Sequence, residues 1–189
     1  MFGLSSASLV VGSIIVDSSI SSIVGDVSFG DPTSKATFRT SLPLDSNPSK
    51  FAAFAQVANG AGYFTGFAAF NPRTSPVGID LKIYKSDGAL TGSSHFTLAA
   101  GSRLSKLLPQ IVPVSEGQVG GYFTLTSDQP VTSFAVFGTT TLSALSAVPP
   151  LGRDSGGSTP PPPPSCGLSG DTFDGSLGSD WHVSCSTST

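Results

Sequence analysis

The chain has 189 residues, enough for one well-buried domain with flanking segments but cramped for two complete domains and a linker. Charged residues make up only 11% and the formal net charge is -3, with the 9 basic residues scattered singly, so no basic stripe exists to neutralise a phosphate backbone and nucleic-acid binding is excluded. Abundant Ser, Thr, Gly and Ala around short aliphatic and Phe runs predict β-structure with small-residue surfaces in place of long amphipathic helices.

The N-terminal stretch "MFGLSSASLVVGSIIVDSS" has no Lys or Arg before Lys35, and Gly12 and Ser13 break its apolar run, so it does not read as a signal peptide. No run reaches the roughly 18 to 20 apolar residues that a membrane span needs. Within residues 1–50, "SIIVDSS", "IVGDVSFG" and "TSLPL" follow the order of "YFTLTSD", "VTSFAVFG" and "SAVPP" near the other end of the chain. Ile23 falls on Val131, Val27 on Ala135, Phe29 and Gly30 on Phe137 and Gly138, and Leu42 and Pro43 on Val148 and Pro149, with a two-residue slip in the loop. A period of about a hundred residues predicts an internal repeat. Residues 1–50 are then the last strands of a β-sandwich repeat whose first strands are absent, with Met1 not the natural start. Such orphan strands expose unpaired backbone groups and must pack on the complete module, extend its sheet, or self-associate with another chain.

Residues 51–151 predict one complete module. "FAAFAQVA" and "YFTGFAAF" are separated by "NGAG", and "VGIDLKIYK" sets Ile79, Leu81 and Ile83 on one face against Asp80, Lys82 and Tyr84 on the other. "SDG" makes a hairpin turn, Gly88 tolerating a positive φ and Asp87 bonding local backbone, and "SSHFTLA" returns with Phe96 and Leu98 in phase. In "AGSRLSKLLPQI", Leu104, Leu107, Leu108 and Ile111 fall at helical spacing, so a short helical turn capped by Ser102 and ended near Pro109 is expected. "GGYFTLTS", "PVTSFAVFG" and "LSALSAV" complete a set of about seven strands, an immunoglobulin-like or fibronectin-like antiparallel all-β sandwich. Residues 152–165, with five consecutive prolines, read as a disordered Gly/Ser/Pro-rich linker that holds an extended spacer, and 166–189 as the start of a further unit or a tail.

Catalytic chemistry finds little support. A glycosidase needs two carboxyl groups flanking the scissile bond, yet Glu116 is the only glutamate and sits in the turn-like "SEGQVGG", while "SDG" and "SDQP" place Asp residues in turns. His95 is expected to face solvent, and His182 stands alone, so neither a zinc site nor any other metal or cofactor is expected. Asp171, Asp174 and Asp180 lack EF-hand spacing and read as solvated loop residues, not calcium ligands. Cys166 and Cys185 are isolated from any metal pattern and form a candidate disulfide around about 18 residues; with no cysteine before them, they suit an oxidising compartment. Tyr63, Tyr84, Tyr122 and Trp181 are candidate glycan contacts, since sugar rings stack on flat aromatic faces.

On "GYFTGFAAFNP", "IYKSDG", "TLAAGSRLSKLLPQI" and "SDQPVTSFAVFG", residues 51–151 resemble tandem β-sandwich modules of large secreted bacterial proteins. That resemblance implies export, a cell-surface or extracellular location and a multidomain setting, and brings no active residues with it. "DTFDGSLGSDWHV" looks like the first strand of concanavalin A-like, laminin-G-like or glycoside hydrolase domains, the matching positions being Phe173, Asp174, Gly175, Leu177 and Trp181. The chain then reads as a fragment cut inside its next domain. The expected function is a non-catalytic spacer or adhesion module, with neighbouring repeats or polysaccharide as partners; the alternatives are a carbohydrate-binding module or a fibre subunit completed by strand addition.

Overall fold

The computed structural model describes residues 13–20, 23–30, 38–45 and 47–151. The linker 152–165 and the tail 166–189, with Cys166, Cys185, Trp181, His182 and the three Asp of the tail, lie outside the described residues.

The described part is an antiparallel, sandwich-like all-β fold. Among the described residues, strand β1 (Asp26–Gly30) pairs with β2 (Arg39–Pro43) alone, as a two-stranded hairpin. Strands β3 (Ser49–Phe54), β4 (Tyr63–Phe70), β5 (Val77–Tyr84), β6 (Leu90–Leu98), β7 (Arg103–Leu107), β8 (Tyr122–Thr139) and β9 (Leu145–Val148) build the main body. The N-terminal part of β8 lies between β3 and β5, where Leu125 faces Ala52 on one side and Leu81 on the other. Its C-terminal part lies between β4 and β9, where Ala135 faces Phe67 and Val148. One 18-residue strand therefore belongs to both layers.

Alternation explains how the layers close. In β5, Val77, Ile79, Leu81 and Ile83 are fully buried while Asp80 and Lys82 are exposed, the pattern a strand covered on one face must show. These side chains meet Phe54, Phe67, Leu98, Leu108, Phe123 and Leu125 in one continuous core. Its centre is aromatic: Phe54 stacks on Phe123 at 4.6 Å and 16°, and Phe67 meets both rings edge-on, at 5.9 Å and 5.8 Å. Because Phe54 comes from β3, Phe123 from β8 and Phe67 from β4, the cluster joins the two layers.

Two expectations are corrected. "GGYFTLTS" and "PVTSFAVFG" are one strand, not two separated by a turn. Pro130 removes a backbone donor, but it sits where the ladder passes from the β5 side at Ser127 to the β4 side at Thr132, so the missing N–H coincides with the crossing. Asp128 does not bond local backbone there; its carboxylate accepts the Gly78 N–H at 3.1 Å across the sheet.

The helical turn expected over "SRLSKLL" is instead strand β7, paired along the outer edge of β4 from Gly66↔Leu107 to Phe70↔Arg103. Helical order among the described residues is confined to a 3₁₀ turn over Leu108–Gln110, in which Pro109 takes part, and a second over Pro113–Ser115. Ser102 does not cap a helix; its carbonyl accepts the Asn71 N–H at 2.9 Å. Leucines at helical spacing over so few residues are a weak preference, and the open edge of β4 offers a full row of hydrogen bonds in return for extension.

His95 faces solvent as expected, with Nδ1 2.9 Å from Asp80 Oδ1 on the neighbouring strand. With the two side chains 63% and 56% exposed, solvent screens this pair strongly. Replacing His95 by Gln is expected to change the unfolding free energy at neutral pH by less than about 0.5 kcal/mol in urea titration.

Candidate functional site

Of the four aromatic residues singled out as glycan contacts, the fold brings two together. Tyr84 ends β5 and Tyr122 begins β8, and the register places them directly opposite one another. Their rings stack at 4.8 Å with 13° between planes, and both remain half-buried. Tyr63 lies at the other end of β8, opposite Thr139, where it stacks on Phe137 at 5.4 Å. It shares no surface with the Tyr84–Tyr122 pair. Trp181 falls outside the described residues.

The loop before β8 sets the pair's geometry. Gly120 and Gly121 take φ of 92° and 103°, a region that side chains with a Cβ rarely occupy. A Cβ on Gly121 would stand 2.1 Å from the Tyr84 carbonyl oxygen, so only glycine lets the incoming chain pass this close to the end of β5. Gln118 fastens the same corner: its Nε2 donates to Tyr84 O at 3.0 Å and to Gly120 O at 2.9 Å, while its Oε1 accepts from the Thr91 hydroxyl at 2.7 Å. The tyrosines thus rest on a corner held by three chain segments, the ends of β5 and β6 and the loop 116–121.

A shallow cleft of about 480 Å³ opens beside Tyr122, lined by Ala53, Ala55, Ser86, Gly121 and Leu151 among others. Its wall is mainly apolar, with the Ser86 hydroxyl as a polar point. The flat Tyr122 ring in such a wall can cover the C–H face of a ring-shaped ligand, while the Ser86 hydroxyl meets its polar rim.

Elsewhere, ionisable groups do not converge. Among the described residues no three His, Cys, Asp or Glu side chains come within reach of one metal ion. Glu116 is exposed and follows the second 3₁₀ turn, where its N–H donates to Pro113 O. Asp87 accepts the Ala89 N–H at 2.9 Å in the β5–β6 turn, a local role that its position in "SDG" had indicated. No helix among the described residues is long and apolar enough to cross a membrane.

Sequence reasoning missed Gln118 and Asn71. Asn71 is completely buried: its Nδ2 donates to the carbonyls of Ser75, Leu98 and Ala99 at 2.8, 3.1 and 3.0 Å, and its Oδ1 accepts the Arg73 N–H at 2.9 Å. It ties the β4–β5 loop to the end of β6. Nothing local in the sequence marked the distant carbonyls it serves.

No protein-family model and no curated protein matches this sequence. Among solved structures, the chain is similar to the Anabaena sensory rhodopsin transducer at 14% identity and a TM-score of 0.40, over 49% of this chain and 86% of that one. That likeness is too distant to bear on function.

Proposed function

We propose that this chain is a non-catalytic β-sandwich module of a secreted or cell-surface protein, serving as a spacer or adhesion unit. The observation that carries the reading is how the body is closed and attached. Its two layers share β8, and its two ends are hydrogen-bonded to each other, Ala53 N–H to Leu151 O at 2.9 Å and Leu151 N–H to Ala53 O at 2.7 Å. Flanking segments therefore leave the module at one place, and the rest of the body projects as a single rigid piece. This suits display at a surface.

Pulling the full chain between its ends in a single-molecule experiment tests this. The expected record has one cooperative event releasing about 100 residues, roughly 350 Å of contour at 3.3–3.6 Å per residue. A staircase of small events would remove the rigid-module reading.

The Tyr84–Tyr122 stack, whose Tyr122 lines the cleft, favours a second reading, a module that binds carbohydrate. Full-length protein on a broad glycan array is expected to give signals that Tyr84→Ala reduces by roughly ten-fold or more, as loss of one stacking face implies. Circular dichroism melting of the same variant separates loss of the platform from loss of the fold. A silent array for the parent chain would exclude this reading and leave the first intact.

A further inference from the structure

We propose that residues 23–43 are a second copy of the hairpin made by the end of β8 and β9, and that the outer edge of β1 takes up an antiparallel strand of the β4 type from outside the described residues. The inference stands apart from the function proposed above.

The copy is recognisable in the strand register. In the first hairpin the cross-strand partners are Val27↔Leu42, Ser28↔Ser41, Phe29↔Thr40 and Gly30↔Arg39. In the second they are Ala135↔Val148, Val136↔Ala147, Phe137↔Ser146 and Gly138↔Leu145. These are the same partners once Val27 is laid on Ala135 and Leu42 on Val148, the loop of the first hairpin being two residues longer. Apolar alternation alone does not demand this, because a slip of one pair in either hairpin would break the correspondence while leaving each hairpin intact.

An independent detail repeats as well. A Cβ on Gly30 would lie 2.4 Å from the carbonyl oxygen of Phe38, and a Cβ on Gly138 would lie 2.9 Å from that of Ala144. Phe38 and Ala144 hold equivalent places, each just before the returning strand. Both hairpins thus close through the same tight approach of the returning backbone to a glycine.

What differs is the neighbour on the outer side. In the main body β4 runs antiparallel along β8, from Tyr63↔Thr139 to Phe70↔Thr132, with Phe67 opposite Ala135. Ala135 and Val131 are buried there, at 0% and 2% exposure, whereas their counterparts Val27 and Ile23 are 41% and 43% exposed. Among the described residues, β2 is the only strand paired with β1. The inner side of the hairpin is already engaged: Leu42 is buried, and the Ala147 N–H of β9 donates to Thr40 Oγ1 at 2.8 Å. Among the described residues, the edge without a partner strand is therefore the one that β4 fills in the main body. An exposed edge with apolar side chains is a ready template for strand addition. The main body supplies the pattern of the strand that fits: a large aromatic residue opposite Val27, with alternate apolar positions on the same face.

The test uses the full chain and a synthetic peptide of the β4 sequence, GYFTGFAAFN, residues 62–71. The peptide is expected to bind saturably and to slow amide hydrogen exchange within 26–30. Val27→Asp is expected to weaken binding by roughly ten-fold or more, since it sets a charge against the incoming aromatic ring. Val27→Ala, which copies Ala135, should retain binding, and melting of the main body should be the same in both variants. Absence of binding at millimolar peptide, equal binding by Val27→Asp, or protection that maps to the β7 edge instead of β1 would each overturn the proposal.

Discussion

Phe123→Ala is expected to lower the unfolding free energy by about 4 kcal/mol, the largest effect of any single side chain in the module. The ring is fully buried, stacked on Phe54 at 4.6 Å and met edge-on by Phe67 at 5.8 Å. Removing it forfeits the transfer energy of a benzyl group and leaves a cavity bordered by two other rings. Those rings are anchored on β3 and β4, in different layers, and cannot both move in to fill the space. Aromatic pairing adds about 0.5–1.5 kcal/mol per contact beyond area. For a body of about 100 residues this amounts to a fall in melting temperature of roughly 15–30 °C. Urea titration should show a lower midpoint at an unchanged slope, since the surface exposed on unfolding scarcely alters. Phe123→Leu, which keeps most of the volume, should cost under about 2 kcal/mol. A loss below about 1.5 kcal/mol for the alanine variant would mean that the three rings do not share one packed centre.

Asn71→Ala is expected to cost about 3 kcal/mol although it removes no apolar contact. The amide is fully buried and serves three carbonyls and one N–H in two separate loops. Alanine leaves those groups in a dry environment without partners, and each stranded polar group costs about 1–3 kcal/mol, lessened where water can follow. Asn71→Asp is close in shape but replaces the donating Nδ2 by an oxygen facing carbonyl oxygens, so at neutral pH it should not restore stability. Differential scanning calorimetry of the two variants against the parent decides the matter. If the aspartate variant melts with the parent, the amide is not the donor the structure describes.

The two predictions separate what is legible in a sequence from what is not. Ile79, Leu81 and Ile83 could be read as a buried face because strand alternation is local and each residue declares its own side. The turn at Asp87 and Gly88 is local in the same sense. The leucines of "SRLSKLL" misled because their spacing suits one turn of helix, while the decision lay with β4, whose unfilled edge is more than thirty residues away in sequence. Pro130 looked like a break between two strands; only the passage of β8 from one layer to the other gives its missing N–H a place. Tyr84 and Tyr122 were both visible as candidates, but their meeting depends on β5 and β8 being neighbours. Asn71 and Gln118 were invisible for a related reason: their importance lies in carbonyls and hydroxyls brought from elsewhere, and no short motif encodes those.

Strand β8 has a further consequence, for the order of events when the molecule is made. Its partners β3, β4, β5 and β9 come from both sides of it in the chain, so neither half of the sandwich can be finished until Tyr122–Thr139 has been synthesised and both ends have docked. Pairings so distant in sequence place the folding time in the millisecond-to-second range. A ribosome-bound chain ending before residue 122 would hold the five main-body strands β3 to β7 with their oily faces unmatched, a state prone to clump with its neighbours. Safe production then depends on fast completion or on a chaperone that shields those faces while the last third of the module arrives.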